Sequence, residues 1–390
     1  MKFFHLSDLH IGKQLHRYNL KEDQQVILKE VIAYAKELRP DAIVIAGDIY
    51  DKSVPSAEAV TIFDEFLTEL SEITPVIPIL IISGNHDSPD RLNYASEILR
   101  RHHIYLVGNV PEQPEEHIEK VTLQDTYGEV DFYLLPFMKP GYVRNVFVNN
   151  VPETYADAVR EIIKREKIDY NNKRNVLVSH QFYVGEKEGS PETCDSEVFS
   201  VGGIDNVDIG AVKEFDYVAL GHLHGPQKIG KETVRYSGTP LKYSFSETNH
   251  KKAAVIVDVE EKGKINIHQI PFLPKHDMRE VRGTYMEVTA LDFYKDMNTD
   301  DYLHITLTDE EDIPDAIGKL RCIYPNIMKL SYDNLRTRAA GTVRGTAEVE
   351  EKSPMELLRE FYELQNNQPM TDEQEEIARG MMEEIWEDGR

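Results

Sequence analysis

Apolar and polar positions follow two rhythms along this chain. Through roughly the first 270 residues, short apolar runs alternate with longer stretches whose apolar residues recur every three or four positions. The runs predict strands, and the stretches 21–38, 56–70, 89–101 and 153–167 predict helices. Ser88-Pro89 reads as an N-cap with proline at the first helical position. Strand–helix–strand alternation at the start implies a parallel or mixed sheet. Strand patterns at 121–123, 132–135, 234–237, 254–259 and 265–270 then follow without helices between near neighbours, and Lys262-Gly263 reads as a hairpin turn. The expected architecture is α/β: a sandwich of two sheets flanked by helices, forming one domain over residues 1–272.

Two prolines within 271–276 mark a boundary. A small α+β unit is expected over 276–335, with alternating strands at 284–288 and 302–307, a helix at 314–321 and a strand at 327–332. The Gly/Thr/Arg-rich stretch 336–350 reads as a linker. A helical pair closes the chain over 351–390. Ser353-Pro354-Met355-Glu356 and Thr371 to Gln374 form capping boxes. Leu357, Leu358, Phe361, Tyr362 and Leu364 lie on one helical face, and Ile377, Met381 and Ile385 on another, with Trp386 beside them.

Composition narrows the class. With 390 residues, 41% hydrophobic and 29% charged, the chain reads as globular. No run approaches bilayer-spanning length. The strand pattern begins at Phe3, leaving no room for a signal peptide, and the cysteines Cys194 and Cys322 give no disulfide framework, so a cytoplasmic location is expected. The net charge of −25 argues against gripping nucleic acid through bulk positive charge, but not against a metal-dependent enzyme acting on phosphates. Part of that charge is segregated: residues 346–390 hold fourteen acidic and four basic side chains.

Five apolar runs end in possible metal ligands. Asp8-Leu9-His10 follows the first; on an extended segment both side chains would face one ion. Gly47-Asp48-Ile49-Tyr50-Asp51 follows the second, with Gly47 permitting a sharp exit from the strand. Gly84-Asn85-His86-Asp87 follows the third: Asn85 offers a neutral oxygen, and the adjacent His86 is left for proton transfer. Ser179-His180 follows the fourth, where a lone histidine usually reads as a core residue. Gly221-His222-Leu223-His224 follows the fifth and places two imidazoles on one side of an extended segment. These motifs use five of the fourteen histidines; the other nine read as surface or loop residues. Carboxylate, imidazole and amide donors without thiolate suit hard or borderline divalent cations.

Taken together and in order, these motifs resemble the signature of the calcineurin-like metallophosphoesterase superfamily, and within it the SbcCD-type nuclease subunits. The motif starts within ten residues of the N-terminus, Lys52-Ser53 rather than an arginine follows Asp51, and a small second domain and helical pair come after the core. The resemblance implies one metal held by Asp8, His10, Asp48 and His224, and a second by Asp48, Asn85, His180 and His222, with Asp48 bridging. It makes His86 the catalytic acid and Asp51 the residue that orients it. It implies Mn²⁺, while the donor types alone also permit Mg²⁺, Fe or Zn²⁺. The implied activities are 3′→5′ exonuclease action on double-stranded DNA and endonuclease action on single-stranded or hairpin DNA, in DNA repair and recombination. The implied assembly is a homodimer working with an SbcC-type coiled-coil ATPase, whose base the helices at 353–364 and 371–386 would meet. Alternatively, those helices fold back on their own domain. The same core would also serve a phosphomonoesterase or cyclic-nucleotide phosphodiesterase. A non-catalytic metal-binding scaffold is the remaining alternative, although proteins of that kind tend to lack the histidine that stands here as His86.

Overall fold

A computed structural model describes residues 1–390 except 148–150, 186–190, 198–204, 312, 341–353, 367 and 389–390. In chain order the larger strands are β1 (Lys2–Leu6), β2 (Ala42–Ala46), β3 (Ile79–Ile82), β4 (Ile104–Val107), β5 (Glu119–Asp125), β6 (Gly128–Leu135), β7 (Arg174–His180), β8 (Tyr217–Gly221), β9 (Gln227–Ile229), β10 (Lys231–Tyr236), β11 (Ala253–Val259) and β12 (Ile265–Pro271). The longer helices among them are α1 (Lys21–Leu38), α2 (Ala57–Ser71) and α3 (Tyr155–Arg165).

Two six-stranded sheets result, ordered β12-β11-β1-β2-β3-β4 and β9-β10-β8-β7-β6-β5. In the first, β1 to β4 run parallel and the β11–β12 hairpin adds an antiparallel edge. In the second, β6, β7, β8 and β10 run parallel, with β5 and β9 antiparallel at the edges. The parallel strands Ala-Ile-Val-Ile-Ala and Ile-Leu-Ile-Ile are buried throughout, as strands covered on both faces must be. Phe3, Val44, Leu80 and Val257 of one sheet pack with Phe132, Val176, Tyr217 and Ala219 of the other. The crossover helices α1 and α2 therefore cover the outer face of the first sheet. On the outside of the second, Val159, Ile162 and Ile163 of α3 join Leu177, Val218 and Tyr236.

The chain divides into compact units at Met1–Lys275 and His276–Arg390. In the second unit, β13 (Met278–Gly283), β14 (Tyr302–Leu307) and β15 (Ile327–Tyr332) form a three-stranded parallel sheet over a core of Val281, Val288, Ile305, Leu320 and Tyr324. Helices α4 (Pro354–Asn366) and α5 (Asp372–Asp388) follow, and Thr371 and Gln374 exchange the two hydrogen bonds of a capping box. Ser353 and most of the expected linker, 341–350, lie outside the described residues; 336–340 belong to a short helix, Leu335–Ala340.

Three local expectations need correction. Residues 284–288 are not a strand: Thr284 and Glu287 form a capping box for the helix Tyr285–Val288, and the strand lies just before it. The stretch 89–101 is broken into Pro89–Leu92 and Ser96–Arg100 by Ala95 in a left-handed conformation, and the Ser88 hydroxyl makes no capping bond. His5 is no surface residue. It is fully buried in β1, where Nε2 meets the Leu220 carbonyl at 3.1 Å and Nδ1 the Tyr217 hydroxyl at 3.0 Å, and burial lowers its pKa to about 3.

Candidate metal centre

The carboxyl ends of β1, β2, β3, β7 and β8 all reach one edge of the sandwich, the end at which parallel α/β sheets present their ligand sites. The loops beyond them are stitched together. Asp8 N donates to Gly47 O at 2.9 Å and His10 N to Asp48 O at 3.0 Å, extending the β1–β2 pairing past both strands. The Asp87 carboxylate accepts from Gly84 N at 2.9 Å and from Ile49 N and Tyr50 N at 3.0 Å, fastening the loops after β2 and β3.

Contrary to expectation, neither the His222/His224 pair nor the Asp8/His10 pair is presented by extended backbone. Asp8, His10, Asp48 and His222 have φ of 54°, 44°, 52° and 104°. Non-glycine residues held there cost about 1–3 kcal/mol each and gather at functional sites. The glycines serve a different need. At Gly47, with φ of 89°, a Cβ would strike the His180 ring, and at Gly221 it would come within 2.7 Å of His180 Nδ1. Both let the fourth motif's histidine pass between loops.

The structure brings all seven candidate donors together. His10 Nε2 lies 3.1 Å from His224 Nε2 and 3.6 Å from Asp48 Oδ2. Asn85 Oδ1 lies 3.0 Å from His180 Nε2 and 2.9 Å from His222 Nδ1. Asp48 Oδ2 is 3.4 Å from His180 Nε2, so one carboxylate reaches both groups. Asp8 stands with His10 and His224 on one side and with Asp48 and His180 on the other. It also accepts from His222 N at 3.0 Å.

Partners behind the rings set which nitrogen faces inward. His180 donates from Nδ1 to the Ala46 carbonyl at 2.7 Å, which turns Nε2 toward the cluster. His224 Nδ1 meets Ser196 Oγ at 2.6 Å, and Ser196 spends its own proton on Glu247 Oε1 at 2.7 Å. His224 therefore donates to Ser196 and keeps its Nε2 lone pair inward. Fully buried Glu247 is held in turn by Lys252 Nζ at 2.6 Å and Ser244 Oγ at 2.9 Å. Burial pushes the Glu247 carboxyl up, but the Lys252 ammonium outweighs it and holds the group well below the carboxylate range. The sequence offered no motif for Ser196, Glu247 or Lys252.

His86 is half-buried. Its backbone N–H donates to Asp48 Oδ1 at 2.8 Å, and its ring stands edge-on to His10 with centroids 4.8 Å apart. Its Nδ1 donates to the main-chain carbonyl of Asp51 at 2.9 Å. The Asp51 carboxylate instead pairs with Lys13 Nζ at 2.8 Å and lies 3.8 Å from His10 Nδ1. Asp51 thus meets His86 through its backbone rather than its side chain.

The donors fit divalent cations. Burial raises the pKa of Asp8, with the Asp48 charge adding to it, while burial of Asp48 is outweighed by His180. His222 is lowered to about 3 by burial, which keeps it neutral and able to ligate. Crowded buried carboxylates gain from added positive charge, and oxygen with nitrogen donors suits Mn²⁺, Fe or Zn²⁺.

Comparison with known proteins follows the same outline. Residues 1–226 match the calcineurin-like phosphoesterase family, and residues 274–366 match the family described as the type 5 capsule protein repressor C-terminal domain. The chain is 34% identical over 388 residues to the D component of the nuclease SbcCD from Staphylococcus epidermidis, covering 98% of each chain. It is 30% identical over 391 residues to the protein of the same name from Staphylococcus saprophyticus, covering 100% of each. Among solved structures, a dimetal phosphatase from Danio rerio is similar at TM-score 0.37 and 13% identity, covering 70% of this chain and 99% of that one. The Plasmodium inner-membrane-complex anchor GAP50 is similar at TM-score 0.40 and 13% identity, covering 85% and 96%.

Proposed function

Because the chain belongs to the calcineurin-like phosphoesterases and, within them, to the SbcD nucleases of SbcCD, we propose that it hydrolyses DNA phosphodiesters at the donor cluster, using two Mn²⁺ ions. The observation that carries this reading is the meeting of seven donors from five strand ends, with the Asp48 carboxylate within 3.6 Å of His10 and 3.4 Å of His180. Asp8, His10, Asp48 and His224 would hold one ion, and Asp48, Asn85, His180 and His222 the other. Bound there, the ions would lower the pKa of water, align the phosphate and offset its developing charge.

The protein's own groups do the rest. His86 is anchored through Nδ1 to the Asp51 carbonyl, which leaves Nε2 to give a proton to the departing oxygen. Asn85 contributes oxygen without charge, so the carboxylates do not cancel the cations' effect on the phosphate. Asp87 keeps the His86 loop in register with the Asp48 loop.

The finer reading is 3′→5′ exonuclease action on double-stranded DNA and endonuclease action on single-stranded or hairpin DNA, in cytoplasmic DNA repair, recombination and replication. The chain would act as a homodimer with an SbcC-type coiled-coil ATPase that shares the DNA contacts, since a net charge of −25 provides little attraction of its own. Phe361, Ile377 and Met381 on the terminal helices are exposed, as a helix face that docks into a partner's groove would be.

The test compares the parent and His86→Gln chains, stripped of metal and resupplied with Mn²⁺, on linear duplex DNA and on p-nitrophenyl phosphate. The parent should degrade DNA in preference to the monoester. His86→Gln should bind as much Mn²⁺ yet lose about 10²–10⁴-fold in rate. Preference for the monoester would move the reading to a phosphomonoesterase, and full activity in His86→Gln would remove the acid role. Deleting residues 346–390 should abolish binding to the ATPase and spare hydrolysis of bis(p-nitrophenyl) phosphate; retained ATPase binding would refute the docking role.

A further inference from the structure

Behind His224 lies a second set of donors, of which the active centre uses only Glu247, and that only as a hydrogen-bond acceptor. Cys194, Glu247 and His250 each offer one ligand atom, and the three atoms lie within 4.8 Å of one another. Cys194 and Glu247 are buried and His250 is half-buried. A turn places them, because His250 N donates to the Glu247 carbonyl at 2.8 Å. The imidazole packs against Gly225, where a Cβ would stand 3.1 Å from His250 Cε1. Among the described residues its buried Nδ1 has no hydrogen-bond partner, an unfavourable arrangement unless something else satisfies the nitrogen.

Charge points the same way. Glu197 and Glu247 flank the thiol, and Lys252 is the cation paired with Glu247. Burial and these two carboxylates push the Cys194 thiol up to about 12. Added positive charge would relieve it.

We propose that Cys194, Glu247 and His250 form a third metal site, chemically distinct from the active-site cluster, that takes one zinc-class ion. Sulfur, nitrogen and oxygen donors in one triad select a borderline cation such as Zn²⁺ or Co²⁺ over Mn²⁺, with a fourth position for water. Binding releases the thiol proton to solvent and forms the metal–thiolate bond; no oxidant or reductant is involved. Glu247 links this site to the active centre, because its Oε1 accepts from Ser196, which orients His224. An ion here would tie the Cys194–Glu197 turn to the Glu247–His250 turn and steady that ring.

The full-length chain is titrated with Co²⁺ under anaerobic conditions. The active-site donors contain no sulfur, so a sulfur-to-cobalt charge-transfer band reports a thiolate ligand alone. The band should saturate at one thiolate-bound Co²⁺ per chain in the parent and in Cys322→Ser, and Zn²⁺ should displace it. It should vanish in Cys194→Ser and require about tenfold or more Co²⁺ in His250→Ala. A parent without the band, a band persisting in Cys194→Ser, or parental affinity in His250→Ala would overturn the site. DNA hydrolysis with Mn²⁺ is scored separately, so failure of the third site and failure of the nuclease reading are distinguishable.

Discussion

The two halves of the donor cluster use similar side chains but are held in different ways. On the Asn85 side, His180 is aimed by a main-chain carbonyl, that of Ala46, and its position is inherited from the parallel sheets. On the His10 side, His224 is aimed by a relay of side chains, Ser196 to Glu247 to Lys252, in which Ser196 is distant in sequence from the other two. A backbone-held ligand has no side-chain partner whose removal would release it, so a substitution displaces it only by crowding its ring, as at Gly47 or Gly221, or by disturbing its strand. A ligand held by side chains can be loosened one hydrogen bond at a time, which makes this half the place where activity can be tuned without losing the fold.

Asp48 belongs to both halves, so its loss should do the most damage. Asp48→Asn keeps an acceptor for His86 N but removes the shared charge; hydrolysis should fall about 10³-fold or more, the several kcal/mol that bound cations supply. Retention of more than a tenth of parental kcat would show that the halves do not depend on a common carboxylate.

Lys252→Met attacks only the side-chain-held half. It leaves the buried Glu247 carboxylate unpaired, which should cost about 3–5 kcal/mol of stability at neutral pH, read from thermal or urea unfolding. The pH dependence should reverse as well. In the parent, Glu247 is held below its unfolded pKa of about 4.3, so its contribution is complete above that pH and is lost as the solution is acidified. In Lys252→Met the carboxyl is raised by burial, and acidification should recover stability relative to the parent. Parallel pH profiles for the two chains would contradict the pairing.

Ser196→Ala should have the smallest effect. It removes the relay hydroxyl but leaves Glu247 anchored, so affinity for one Mn²⁺ should fall about tenfold while the other ion binds as before. Equal weakening of both ions would erase the distinction between the halves.

The same contrast explains what could be read from the sequence. Five apolar runs, each ending in polar ligand types, identify strands of a central sheet and the side chains at their tips, because strand ends converge whatever the loops do. The α/β sandwich was legible for that reason. The loop geometry was not: Asp8, His10 and His222 reach the cluster through positive φ rather than extended alternation, and nothing in those residue types requires it. Ser196, Glu247 and Lys252 carry no motif because tertiary return alone brings Ser196 and the Glu247–Lys252 pair together beside His224. His5 gave no signal either, since burial of a histidine depends on the partners it finds, here Tyr217 and Leu220. The helix at Tyr285–Val288 was readable, because Thr284 and Glu287 have capping-box spacing, but a five-residue window fits both periods.

Anomalous diffraction from crystals of the full chain grown with Mn²⁺ tests the account most directly. Two peaks should appear at the strand ends, one beside His10 and His224 and one beside Asn85, His180 and His222, with Asp48 in contact with both. A single peak, or two peaks without Asp48 between them, would contradict it.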